Sequence, residues 1–348
     1  MTRLRLRRND SFRVMGAELK KLPWHSKICR DVVFRYGDFY QSIVFNALYR
    51  RQSKFKGDFV FHYTSFDVFK KLIAPDADLL MTRFDELNDD SELEHGWQWI
   101  LRELEWSCGM SKLKLRLFNQ EMASRREEGV QVPWLMSFSE VPDSLPQWSR
   151  YTNRSRGGCS IAFDFREMNY IAESARKDKS CCFKLCFLPC LYNKDEVDRA
   201  WRIFCNKWNF MLEEIKELTY NEVAAFKDYF VRPLVSDLFM LAAIIKHPGF
   251  ESEREWRLIA VPRNVEKGIK IPAPILLNGK HRYGLNMCFA KNKPLYTMKW
   301  IRGVGVSPHP KRTRSDRFWM VFDEFCNAGR KQWETGVWQS EIPFNGWR

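Results

Sequence analysis

Six short runs rich in aromatic and β-branched residues set the strongest limit on what this chain can fold into. They occupy residues 59–63, 134–139, 158–165, 183–188, 255–261 and 298–306, and each reads as a strand. Helices do not alternate with them regularly. Instead a long stretch at about 193–246 intervenes, in which Trp201, Phe204, Trp208, Met211, Ile215 and Leu218 recur at steps of three and four and form one apolar stripe. This mixture argues against a doubly wound α/β sheet. It predicts an α+β fold with a mixed or antiparallel central sheet and a helical insertion.

Smaller features fill in the order of elements. Thr64 stands three residues before Asp67 and predicts the cap of a short helix carrying Val68, Phe69, Leu72 and Ile73. The acidic stretch Asp89, Asp90, Glu92 and Glu94 suits the first turn of a helix bearing Trp97, Ile100, Leu101 and Leu104. Residues 113–118 alternate basic and apolar side chains and fit either a strand or a helix. Pro233 is expected to interrupt a helix that the apolar run 238–245 finishes, and residues 315–330 read as a C-terminal helix. The expected organisation is a basic helical extension over 1–56, an α+β core over 57–310 and a closing helix and tail over 311–348.

Charge is concentrated at the start of the chain. The net charge is +14, from 57 Lys and Arg against 43 Asp and Glu, and residues 1–56 hold fourteen basic and four acidic side chains. Such a segment can neutralise phosphates, so it is a candidate contact for nucleic acid or a protein acceptor; a solvated helical extension is the simpler account. Val32, Tyr36, Phe39, Tyr40, Ile43, Val44, Ala47 and Leu48 recur at helical spacing within it. The longest apolar run, 238–245, is far short of the roughly 20 residues that span a bilayer, so no membrane association is expected. The N-terminal arginines precede no apolar signal region, and ten cysteines in a chain of 348 residues read as reduced thiols; both suit the cytoplasm.

Four clusters could carry chemistry. They are His62-Tyr63-Thr64 at a strand end, Asn88-Asp89 with Glu92, Ser137-Phe138-Ser139 followed by Trp148 and Tyr151, and Glu253-Arg254-Glu255-Trp256-Arg257. With Ser340-Glu341-Ile342-Pro343 near the end, their order and spacing resemble a bacterial family known as domain of unknown function 2971, over about residues 58–345. Asp90 stands where that family usually has proline.

The clusters also resemble the site of ADP-ribosyltransferases. That resemblance implies NAD as substrate, with His62 and Thr64 on a ribose, Trp148 or Tyr151 stacked on nicotinamide and Glu255 as the catalytic carboxylate. Tyr63, Ser137, Ser139 and Arg257 would complete the cofactor site, and Glu253, expected on the same strand face as Glu255, would orient a macromolecular acceptor. A carboxylate stabilises the oxocarbenium-like cation of glycosidic cleavage electrostatically. A toxin or phage-defence effector would suit such an enzyme. The rival reading is a non-catalytic nucleic-acid or protein binding module of a defence system, in which His62 is a core histidine bonded to a carbonyl and Glu253, Glu255 and Arg257 form a structural ion network.

A metal centre is not expected. Cys181, Cys182, Cys186 and Cys190 contain no Cys-x-x-Cys pair, and Glu92 with His95 gives only one copy of a di-iron spacing. Gly303 and Gly305 follow a strand but precede Pro308 and Pro310 in place of a helix, so they do not cradle phosphate.

Overall fold

The computed structural model describes residues 57–73, 81–84, 91–128, 132–151, 157–177, 183–225, 227–262, 274–277, 280–283, 301–308 and 336–342, with positions 55, 87, 321 and 323. The expected extension at 1–56, apart from Phe55, and nearly all of the expected helix at 315–330 lie outside these residues.

The chain is α+β. In order, the described elements are β1 (Phe59–Ser65), α1 (Phe66–Leu72), β2 (Thr82–Arg83), α2 (Ser91–Trp106), α3 (Lys112–Glu128), β3 (Trp134–Ser139), α4 (Leu145–Tyr151), β4 (Gly158–Asp164) and α5 (Phe165–Lys177). There follow β5 (Phe183–Pro189), α6 (Lys194–Glu217), α7 (Tyr220–Ala225), α8 (Lys227–Ala242), β6 (Glu255–Pro262), β7 (Pro274–Leu277), β8 (Lys280–Tyr283), β9 (Ile301–Val306) and β10 (Gly336–Gln339). Eight strands form one mixed sheet in the order β10-β9-β4-β1-β3-β6-β5, with β2 paired to β3, while β7 and β8 form a separate hairpin pair. Only β10 with β9 is parallel among the described pairs.

Local sequence explains most boundaries; the structure corrects two expectations and resolves a third. The cap of α1 is Ser65, whose hydroxyl accepts from Val68 N, one residue later than Thr64. Thr64 stays in the strand opposite Cys159. Residues 113–118 are helical, as part of α3. Helix α8 runs from Lys227 to Ala242 through Pro233, which therefore does not interrupt it. The insertion between β5 and β6 is helical as expected, and all six residues of the Trp201 stripe are buried.

The sheet separates two environments. Alternation along each strand sends Val60, Trp134, Met136, Phe138, Ile161, Phe163, Leu185, Phe187, Trp256 and Leu258 into one apolar core, shared with Phe66 and Phe69 of α1 and Met168 and Ile171 of α5. Trp256 anchors it, with its ring 4.9 Å from Phe165 and 5.3 Å from Phe187. The alternate residues of β3 and β6 face the other way, where Ser139 lies opposite Glu255 and Ser137 opposite Arg257.

Helices α2 and α8 reach this second face. They approach so closely that a Cβ at Gly96 would lie 2.5 Å from Ala242 O. Gly96→Ala would recover about 1 kcal/mol of helix propensity. Backbone overlap, which no rotamer relieves, costs up to about 3 kcal/mol. A net loss of about 1–2 kcal/mol is expected, read as a lower urea midpoint with an unchanged slope. A second buried link joins α3 to α8: Arg125 donates to Glu121 at 2.9 Å, to Ser236 Oγ at 2.7 Å and to Arg232 O at 2.5 Å.

Candidate functional site

The strongest concentration of buried charge lies on the second face, where α2, the segment after α8 and the start of β6 meet. Lys246 Nζ is 3.3 Å from Glu92 Oε1 and 2.7 Å from Glu253 Oε2, and it also donates to Glu255. Arg257 donates through Nε to Glu255 Oε1 at 2.7 Å, through one terminal nitrogen to Glu92 and through the other to Ala243 O at 2.6 Å. Arg150, from α4, closes the group at 2.6 Å from Glu253 Oε1. Three carboxylates thus face three cations. Lys246, Arg257, Glu253 and Glu255 are all buried, and only the Arg150 side chain, at 33% exposure, reaches toward solvent.

Local structure sets these positions. Lys246 ends the apolar run and is held by its backbone N–H to Leu191 O, next to the bridge between Leu191 and Ile245. Glu253 ends a 3-10 turn spanning Pro248–Glu253, and Arg254 then takes a left-handed conformation at φ 43° before the strand begins. Glu253 is therefore not on the strand face of Glu255, as alternation alone implied. The two carboxylates meet instead through Lys246.

Electrostatics follow from the pairing. Burial opposes the charge on Glu255, but Arg257 and Lys246 outweigh it and hold the carboxyl far below the usual range. Burial likewise opposes the charges on Lys246 and Arg257, and the neighbouring carboxylates raise both above their ordinary values. Burial and the charge of Glu255 push the Tyr151 hydroxyl up, and burial pushes the Cys190 thiol up to about 12.

A pH profile follows. Glu255 is depressed in the folded state, so its contribution is complete above the unfolded glutamate value of about 4.3 and is lost as pH falls toward the depressed one. Lys246, Tyr151 and Cys190 are raised, so theirs is complete below their unfolded values and lost as pH climbs above about 8.5–10. Stability should form a plateau between about pH 5 and 8, measured as urea midpoints, and Glu255→Gln should flatten its acid limb.

The residues singled out from sequence divide between the two faces. Glu92, Glu253, Glu255 and Arg257 meet in the network. Ser139 supports it by donating to Glu253 O at 2.7 Å, and Ser137 lies opposite Arg257. Tyr63 shares this side of the sheet: its hydroxyl donates to Val141 O at 2.7 Å, and its ring meets Trp148 edge-on at 4.7 Å. Trp148 is buried and donates to Asp143 at 2.6 Å. Tyr151 ends α4 beside Arg150.

His62 and Thr64 point to the opposite face, since Phe61 is the residue aligned with Ser139. His62 Nδ1 lies 2.8 Å from Ser137 O, and its ring is 5.8 Å from Phe138 on the core side. The structure therefore does not bring His62 and Thr64 to Glu255. Asn88 and Asp89 lie outside the described residues.

Three residues of this region escaped sequence reasoning. Lys246 was detectable as a lone charge ending the most apolar run, because a buried charge must be paired. Arg150 and Asp143 carried no such signal. Asp143 receives Ser340 Oγ at 2.7 Å and Glu341 N at 2.9 Å, which docks the Ser-x-Ile segment onto the loop before α4.

Most of this network lies in one continuous stretch of chain that includes Arg150, Lys246, Glu253, Glu255 and Arg257. Residues 147–258 match the family model Protein of unknown function (DUF2971). The match supports the resemblance to that family over these residues, which hold the Trp148, Tyr151 and Glu253–Arg257 motifs. Glu92, on α2, joins the group from outside the matched residues. No curated protein and no solved structure gives a significant match to the chain. Among the described residues no group of three or more His, Cys, Asp and Glu side chains could hold a metal ion, and no helix is long and apolar enough to cross a membrane.

Proposed function

We propose that this chain is a non-catalytic nucleic-acid binding module, in which the DUF2971 segment forms a charge-locked platform and the basic N-terminal residues supply affinity. The observation that carries this reading is the state of Glu255, 2% exposed and saturated by Lys246 and Arg257. A carboxylate that stabilises a developing cation must reach the substrate, and this one is spent on internal pairs. The excess of fourteen basic over four acidic residues in 1–56 supports contact with a polyanion.

ADP-ribosyl transfer from NAD, in a toxin or phage-defence effector, remains a second reading. It is favoured by the edge where the half-exposed Arg150 guanidinium pairs with Glu253 and lies 4.8 Å from the Phe250 ring centroid. In that reading Glu253, buried and paired with Lys246 and Arg150, replaces Glu255 as the working group once the Arg150 guanidinium moves aside for the substrate.

One experiment separates them. The full chain should bind nucleic acid with a steep salt dependence and release no nicotinamide from NAD. Changing Arg3, Arg5, Arg7 and Arg8 to Gln should flatten the log–log salt slope by up to about 3.6, the value for four lost phosphate contacts. Unchanged binding by that variant would sink the module reading. Nicotinamide release that disappears in Glu253→Gln would establish the enzyme.

A further inference from the structure

Two thiols outside the charged centre lie within reach of each other. Cys108 sits in the turn that ends α2, where Cys108 N donates to Glu103 O at 3.3 Å and Met110 N to Leu104 O at 3.1 Å. Gly109 makes that turn possible with φ 67°, a conformation that disfavours a side chain. Cys205 lies on α6, 97 residues further along the chain, and the two sulfurs are 3.9 Å apart. Both residues are free thiols and half-buried, whereas Cys159, Cys186 and Cys190 are buried.

We propose that Cys108 and Cys205 form an oxidant-responsive dithiol, which a hydroperoxide converts to an intramolecular disulfide that pins the end of α2 to α6. The sulfurs must approach from 3.9 Å to the roughly 2 Å of a disulfide, a closure that rotation of the thiols and movement of the turn at Gly109 would supply.

The roles of the two thiols differ. Either sulfur can donate in the hydrogen bond between them, but Lys216 acts on Cys108 alone and favours its thiolate, against burial, Glu103 and Glu213. Cys108 is therefore the attacking thiolate. It attacks one peroxide oxygen, the O–O bond breaks, and a proton converts the departing oxygen to water or alcohol, leaving a sulfenic acid on Cys108. The Cys205 sulfur then attacks that sulfur, forming the S–S bond as the sulfenic oxygen leaves as water with the Cys205 proton. Overall two thiols are oxidised by two electrons and one peroxide is reduced. Burial pushes the Cys159 thiol well up, which leaves it inert under the same conditions.

The test uses the full chain with one equivalent of hydrogen peroxide, followed by non-reducing peptide mapping and thermal melting. A peptide crosslinked through Cys108 and Cys205 is expected, with a melting temperature higher by roughly 5 °C, both reversed by dithiothreitol. Cys205→Ser should leave a sulfenic acid on Cys108 that dimedone traps, and Cys108→Ser should abolish both the crosslink and the shift. Absence of that crosslink in the oxidised protein, or first oxidation at a different cysteine, would overturn the dithiol. A crosslink with no gain in melting temperature would overturn the pinning of α2 to α6.

Discussion

Arg257→Met should destabilise the fold by about 3–5 kcal/mol, the scale for removing one partner of a buried ion group. Methionine approximates the length of the aliphatic stem, so the loss reports charge and hydrogen bonding more than volume. The guanidinium satisfies Glu92, Glu255 and the Ala243 carbonyl together, and its removal leaves two buried carboxylates to share Lys246. Urea unfolding measures the loss. A double variant that also carries Glu92→Gln should recover part of it, because the two residues are directly coupled. A loss below about 1 kcal/mol in Arg257→Met would mean that the group behaves as a solvated surface network.

Lys246→Met is expected to cost a similar 3–5 kcal/mol, with a different pH signature. The lysine contacts Glu92, Glu253 and Glu255, so the variant confronts three carboxylates with the two arginines. Protonating one carboxylate relieves that imbalance. The deficit relative to the wild type should therefore shrink as pH falls through the acid range. Urea midpoints of both proteins between pH 4 and pH 8 test this; a constant gap would show that the lysine acts through packing alone.

The longer strands were legible because they concentrate aromatic, aliphatic and β-branched residues, as strands buried on both faces do. The run at 134–139 coincides with β3 for this reason. The Trp201 stripe was legible through its helical period. Assignment of side chains to faces was harder. His62 and Tyr63 are neighbours in a single motif, yet a strand sends them to opposite faces, and the choice of face depends on which residue of β3 aligns with Phe61. That register is a tertiary fact. Glu253 was misplaced because one left-handed residue, Arg254, separates it from the strand that begins at Glu255. Arg150 was missed because a charged residue on a short helix is ordinarily solvated, and only the arrival of Glu253 from 103 residues away gives it a partner.

The contact between Glu92 and Arg257 spans 165 residues. During synthesis at about 5–20 residues per second, the helix carrying Glu92 leaves the ribosome on the order of ten seconds or more before its arginine exists. Over that interval the carboxylate stays hydrated, and its desolvation cost opposes premature docking of α2 onto an incomplete sheet. The ion group thereby delays closure of this face until β6 has been made, so a chain truncated before residue 257 should be held open and captured by chaperones instead of collapsing into a stable fragment.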